Sequence, residues 1–458
     1  MVLKYIDLKC FLWGLTITSV ALGFPLQVYT GSAMAAIVPY ILILFIFLLT
    51  SLGFKNNVIR VGVMLPSSPI GLMVQVYMFL VVVHTIIQVS ITVISISESI
   101  SVFIIYILPL LFYFYFRFLG TEKEIKVVLL SIFISSLIIG LYFAYDSYIK
   151  LTPPYQITEY AVKAHEYSQS RSPDREISQH RLMYGRSQGL LESHVVSGMW
   201  VVIGMISLLS LLEVRKKITR LVAIIIYSIL LVLGLNFTSI IAFCCIIFLF
   251  EIGAISFFQL KLPIKVLINT MGALIFLYSL NNVLEFLLGE KMFETVANSL
   301  SGQKDLALGV RGGAREISYL DITLNNIEIY FSYILEVPYS ILVGDGYSRF
   351  GLKKGGDTGF VESVTKLGIP YSLALFFGIY ILLKKSIHKI RLLKIGVIID
   401  KGINLIILQF SVSFMVLIFI SEIHYSIWHA KSILPIFFFS IAMFDRVFGE
   451  SNDLEFNK

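Results

Sequence analysis

The sequence predicts an all-α, polytopic membrane protein with about 12 transmembrane helices. Three observations carry this. Apolar residues make up 57% of the 458-residue chain, charged residues only 14%, and the mean hydropathy is +0.87. A soluble domain is about 45–50% apolar and about 25% charged. The apolar residues gather in runs of about 20, the length that crosses a bilayer as a helix. The runs are continuous, with none of the alternation that gives a β-barrel its polar lumen. A soluble enzyme and a membrane barrel are both excluded.

The runs fall near 10–30, 33–54, 71–95, 100–119 and 125–145, then 195–213, 219–235, 238–259 and 264–288, and finally 365–383, 402–421 and 431–448. Lys4 and Lys9 precede the first, which lacks a small-residue cleavage site and is expected to stay as a helix. Pro66 and Pro69 break the chain after the second. Only Asn236-Phe237-Thr238 separates the seventh from the eighth. The chain thus divides into five helices in 1–145, a polar loop over 146–194, four helices in 195–288, a second loop over 289–364, and three helices and a tail in 365–458.

Basic residues set the orientation. With the N-terminus in the cytoplasm, 21 of the 36 Lys and Arg fall on the cytoplasmic side, and the short external loops hold one, Lys431. Both termini are therefore expected in the cytoplasm. The net charge of +7 reads as this orientation signal, and no nucleic-acid partner is expected. Cys10, Cys244 and Cys245 all lie in apolar runs, which leaves no disulfide framework and no zinc spacing.

The polar chemistry sits in the two long external loops. The first contains Arg181-Leu-Met-Tyr-Gly-Arg186-Ser-Gln-Gly189, then Glu192 and His194, just before the sixth run. These residues can line a site or anchor the helix mouth at the interface. The second contains Gly309-Val310-Arg311-Gly312-Gly313-Ala314-Arg315-Glu316. Two arginines beside three glycines at the head of a helix suit a phosphate, because guanidinium forks bind its oxygens bidentately and helix N-termini favour anions. A solvated basic loop fits the same residues. From Ala314 to Leu335, apolar residues at Ile317, Leu320, Leu324, Ile327 and Phe331 have helical spacing, which predicts an amphipathic helix on the membrane surface. Further on, Asp357 and Glu362 precede the tenth run, where a carboxylate can serve as general base. A turn residue and a solvated helix face are the plainer readings of the two. His84 lies mid-run in the third span, either as a functional group or as a neutral partner for a neighbouring helix. No D-x-D pair, H-E-x-x-H or phosphate-binding glycine loop occurs, so neither metal nor cofactor is expected.

Three stretches together resemble the O-antigen polymerase (Wzy) family, within the O-antigen polymerase and ligase superfamily. Arg186-Ser-Gln-Gly189 is similar to the family's R-x-x-G. Asn236-Phe-Thr238-Ser239 resembles its polar turn between two mid-chain helices, although Ile240 stands where the family often has arginine. Arg315-Glu-Ile-Ser-Tyr319, followed by Gly344-Asp-Gly346 and Asp357-Thr-Gly-Phe, resembles the stretch leading to the last three helices. Ligases usually carry His-Asn where this chain has Asp357-Thr358, which favours a polymerase.

The resemblance implies a GT-C-like bundle with two large periplasmic loops in the bacterial inner membrane. It implies a metal-independent glycosyltransferase that moves a growing glycan from polyprenyl diphosphate to a new lipid-linked repeat unit. Its partners would be the polyprenyl-diphosphate-linked oligosaccharide, the lipid bilayer, a chain-length regulator and a flippase. Asp357, Arg315, Glu192 and His194 become the catalytic candidates, and Arg186, Arg311, Arg181 and Glu362 the substrate-binding ones. The alternatives are an O-antigen ligase and a lipid-linked oligosaccharide flippase or other transporter.

The orientation is directly testable. In a chain whose three cysteines are replaced by serine, a cysteine at Lys163 should react with a membrane-impermeant maleimide in intact cells. A cysteine at Lys217 should react only after permeabilisation. The opposite pattern would invert the topology.

Overall fold

The computed structural model describes residues 2–53, 68–90, 95–151, 156–171, 189–191, 193–212, 217–233, 237–247, 340–344, 346, 359–395, 402–422 and 426–455, together with positions 324, 327, 328, 331 and 332. The predicted run 264–288 lies outside them. Among the described residues all regular structure is helical. The helices are α1 (Val2–Thr30), α2 (Val38–Gly53), α3 (Pro69–Ser90), α4 (Ile96–Tyr106), α5 (Leu110–Phe118), α6 (Glu122–Leu151), α7 (Glu159–Arg171) and α8 (His194–Leu211). They continue with α9 (Lys217–Leu233), α10 (Phe237–Ile247), α11 (Gly359–Leu367), α12 (Ile369–Ile395), α13 (Ile403–Ser421) and α14 (Leu434–Glu455). Five stretches are long and apolar enough to cross a membrane: Asp7–Thr30, Pro69–Ser90, Glu98–Phe118, Glu122–Ile149 and Ile403–Ser421. This is the make-up of a multi-pass helical membrane protein.

Local chemistry moves several predicted boundaries. The run 71–95 stops as a helix at Ser90, and Ser95 caps the next helix. Ser95 and Glu98 form a capping box, each side chain bonding the other residue's backbone N–H, so α4 begins at Ile96. Thr121 and Glu124 repeat the device at the head of α6, at 3.3 and 2.7 Å. The predicted span 100–119 is two helices. Pro109 has no N–H and clashes with the preceding turn, so α4 ends and α5 starts afresh at Leu110. The first long polar segment contains α7, whose Tyr160 and Ala164 pack against Val28 of α1. In the second long polar segment, Leu324, Ile327 and Phe331 are helical as predicted. Ile327 packs on Val361 and Val364, while Leu324 and Phe331 are exposed.

The core is built around α8. It is apolar on every side and packs against α6, α9, α10 and α13, so its middle has no lipid-facing stripe. Where α8 crosses α6, a Cβ on Gly204 would sit 1.6 Å from Ser136 Oγ. A small residue there lets the two backbones approach closely. Trp13 of α1 is fully buried against Phe112, Tyr115 and Phe116 of α5, with ring centroids 4.5–5.6 Å apart.

Two buried carboxylates close the basic, cytoplasm-assigned end. Glu124 accepts from Tyr115 Oη at 2.8 Å and from Thr121 N and Oγ1 at 2.7 and 2.8 Å, with Lys9 Nζ at 3.4 Å. Asp445 of α14 accepts from Tyr113 Oη at 2.5 Å and pairs with Arg117 Nε at 3.0 Å. Arg446 donates to the Gly120 carbonyl. The nine residues of α5 thus tie α1, α6 and α14 together.

Breaking one of these pairs should be costly. Asp445→Ala strands Arg117 in apolar surroundings and should remove roughly 3–5 kcal/mol. Tyr113→Phe, which deletes one hydrogen bond, should remove about 1 kcal/mol. Thermal unfolding of the purified protein in detergent measures both, and equal losses would refute the ranking.

Candidate functional site

The end of the bundle away from those carboxylates holds a second buried polar cluster. It forms where α11, the end of α13 and the single-turn helix Ile427–His429 meet. Helix α13 ends at Ser421, and Glu422 caps it with its N–H on the Ile418 carbonyl at 3.1 Å. The Glu422 carbonyl accepts from Phe360 N at 3.0 Å, which ties the first turn of α11 to the last turn of α13. Ser363, one turn further along α11, is completely buried. Its Oγ lies 2.9 Å from Glu422 Oε2, 2.9 Å from Ser426 Oγ and 3.2 Å from His429 Nε2, and it accepts from Trp428 Nε1 at 3.3 Å. Ser426 Oγ lies 2.7 Å from Glu422 Oε1. A single hydroxyl with four polar neighbours has no spare capacity, since a serine donates once and accepts twice. Ser363 is therefore a hub and not a free nucleophile.

Glu362 and Lys366, one turn apart on α11, form an ion pair beside the hub. The plainer sequence reading of Glu362, a solvated helix face, is corrected here. Glu362 is partly buried and its partner Lys366 is almost wholly buried. The reason is the short length of α11, which lies in the bundle and not above it. Gly368, at φ 80°, ends the helix before α12 starts at Ile369. Its missing side chain matters, because a Cβ would fall 2.4 Å from the Leu342 carbonyl oxygen. The predicted tenth span is accordingly split between α11 and α12. The turn Gly344–Gly346 packs into the same corner, and Gly346 N donates to the Lys366 carbonyl at 3.0 Å. A Cβ on Gly346 would sit 2.9 Å from that of His84, so His84 of α3 also borders this corner.

Two electrostatic consequences follow. Burial raises the Glu422 carboxyl to about 7 from its ordinary 4.5. Bonds from Ser426 and Ser363 oppose that rise, the Glu362 charge adds to it, and the Lys366 charge reduces it. Burial, helped by the Lys366 charge, lowers His429 well below the ordinary histidine value and keeps its ring neutral.

Of the sequence candidates, Glu362 stands at this cluster. His194 is the first residue of α8, capped by Ser193 Oγ on Val196 N at 3.2 Å, and its side chain lies outside the described residues. Asp357, Arg315, Glu192, Arg186, Arg311 and Arg181 also lie outside them. Asp357 precedes α11 by two residues in sequence. Gly189, the last residue of the R-x-x-G stretch, has φ 70° and lies against Ser197. Glu422, Ser426 and His429 were missed by sequence reasoning because the gap between the last two runs is short. Its make-up, Ser421-Glu422-Ile-His-Tyr-Ser426-Ile-Trp-His429, was the available signal.

No protein-family model matches the sequence, and a search of curated proteins finds no relative.

The Glu422 shift predicts a pH dependence. Folded, the group keeps its proton up to about pH 7; unfolded, it loses it near 4.5. Between these values the folded state binds more protons, so stability should fall as pH rises and level off above about 7. Glu422→Gln lacks that slope. Wild type should therefore lose Tm relative to Glu422→Gln as pH rises across this window. Parallel curves would show that Glu422 does not titrate there.

Proposed function

We propose that the chain is a polysaccharide polymerase of the O-antigen type. It joins a growing glycan, held on polyprenyl diphosphate, to a new lipid-linked repeat unit at the outer face of the bacterial inner membrane. The observation that best supports this is the meeting of two parts of the Wzy-like stretch. The Gly344–Gly346 turn and α11, which follows Asp357-Thr-Gly-Phe, pack together at one end of the bundle although over ten residues separate them in sequence. The corner they form is polar and buried.

The proposed chemistry needs two kinds of group. An acceptor hydroxyl of the new unit attacks the anomeric carbon of the growing chain. The bond from that carbon to the diphosphate oxygen breaks, and the lipid diphosphate leaves with the electron pair. Arg315 and Arg311, with Arg186 and Arg181, are proposed to stabilise the departing charge. Asp357 is the first choice to take the hydroxyl proton, with Glu192, His194 and Glu362 as further carboxylate and imidazole candidates. In this reading about 12 spans form a GT-C-like bundle with both termini in the cytoplasm, and a chain-length regulator and a flippase act alongside it.

Purified protein supplied with lipid-linked repeat units should make polymer; a flippase or transporter would form no glycosidic bond. In cells, loss of the gene should leave lipid A core bearing one repeat. Bare core with accumulated lipid-linked polymer would identify a ligase instead. Arg315→Ala and Asp357→Asn, at normal protein levels, should each reduce polymer yield by about 10²-fold or more. Wild-type yield from either would remove that residue from its role.

A further inference from the structure

The chain that leaves the Ile427–His429 turn reaches a crevice bounded by α1, α2 and α4. Ser19, Gly23 and Gln27 line it from α1. They are spaced by four residues, so they share one helix face and the crevice follows it for roughly 12 Å. Ile104 and Ile105 of α4 add apolar wall. Helix α4 packs on α3 but not closely on α1 or α2, which leaves the gap. Gly23 keeps it open: the residue is buried, yet a Cβ built on it meets nothing within 4 Å. Its backbone is ordinary α-helix, where alanine is the better former, so neither conformation nor crowding asks for glycine there.

The polar groups of the crevice come from helix ends. Gln27 is near the end of α1, Tyr40 is in the first turn of α2, and Lys431 and Ser432 stand just before α14. Gln27, Tyr40 and Ser432 are buried. Gln27 Oε1 accepts from Tyr167 Oη at 3.2 Å, which leaves the amide N–H₂ to donate. No hydrogen bond to the Tyr40 hydroxyl is found among the described residues. A buried hydroxyl left unbonded is costly, and a ligand oxygen at that place removes the cost. Among the described residues of the lining, Lys431 is the one that carries charge, and no carboxylate stands with it there.

We propose that this crevice binds one anionic phospholipid of the phosphatidylglycerol type, with its phosphate at Lys431, its glycerol and ester oxygens at Tyr40, Gln27 and Ser432, and the start of one acyl chain along the Gly23 face of α1. The chemistry selects this occupant. Apolar walls call for a chain, and the exposed Ile41 and Phe103 beside the lining put lipid at both flanks. A phosphodiester carries one negative charge, which one lysine matches; a lipid diphosphate carries more. The ammonium of phosphatidylethanolamine meets no carboxylate in the lining. The site is separate from the Ser363 corner and does not rest on the polymerase reading.

The test titrates the full-length protein in detergent with phosphatidylglycerol or phosphatidylethanolamine. Native mass spectrometry reads the first lipid bound. Wild type should bind phosphatidylglycerol about tenfold more tightly than phosphatidylethanolamine, the worth of one charged hydrogen bond. Lys431→Gln should lose that preference and keep its affinity for phosphatidylethanolamine. Gly23→Leu, which fills the crevice, should lose the bound lipid while its Tm without lipid stays at or above that of wild type. If that variant does not fold, Ile105→Trp fills the crevice from α4 and should lose the lipid likewise. Equal affinity for the two lipids in wild type overturns the proposal, as does an unchanged preference in Lys431→Gln or full binding by a folded, filled variant. Displacement of phosphatidylglycerol by an equal amount of polyprenyl diphosphate also overturns it, in favour of a substrate site. None of these readouts depends on polymer synthesis.

Discussion

A carboxylate that leaves water for an apolar bundle must be neutralised, by a cation, by hydrogen bonds or by a proton. The arrangement of both bundle ends follows from how three buried carboxylates meet that demand. Glu124 and Asp445 lie beside Lys9 and Arg117 and accept from Tyr115 and Tyr113. Because both tyrosines and Arg117 belong to α5, this short helix draws α1, α6 and α14 to one place. At the other end the near partners of Glu422 are hydroxyls, and burial raises its carboxyl. The two ends therefore differ in kind: one sets carboxylates beside basic side chains, the other sets a carboxyl among hydroxyls.

The difference bears on function. An ionic clasp facing the basic segments suits a part of the bundle that only has to hold. The hydroxyls around Glu422 instead join helices from distant parts of the chain. Helix α11 is the link between them. It carries Glu362 and Lys366, it follows the Asp357 segment in the chain, and its last carbonyls are covered by the Gly344–Gly346 turn. The nine residues of α11 thus join the Gly346 backbone on one side to the end of α13 on the other.

Much of the helical content was legible because burial in a membrane needs runs of apolar residues, and such runs survive in one dimension. Helix starts carry local marks that the hydropathy runs passed over. Ser95-x-x-Glu98 and Thr121-x-x-Glu124 are local motifs, and Pro109 marks the break between α4 and α5. Helix α7 was harder, since its polar composition resembles a loop until Tyr160 and Ala164 find Val28. Glu362 was noticed for its position, but its burial with Lys366 was not, because a charged pair one turn apart looks the same in solvent and in a core. Ser363 was invisible: a serine within Val361-Glu362-Ser363-Val364 has no one-dimensional mark.

The sequence alone therefore determined the class and set an expectation for orientation. Hydropathy and the distribution of lysine and arginine depend on composition along the chain, and both terms act residue by residue through transfer to lipid and through membrane topology. It also supplied the candidate arginines and carboxylates of the external loops. The tertiary structure decided which polar groups share a desolvated corner. Ser363, Glu422, Ser426 and His429 span more than 60 residues of sequence, and their hydrogen bonds exist only once α11 lies across the end of α13. A carboxyl's ionisation is set by the groups within a few ångströms of it, and those neighbours are chosen by packing.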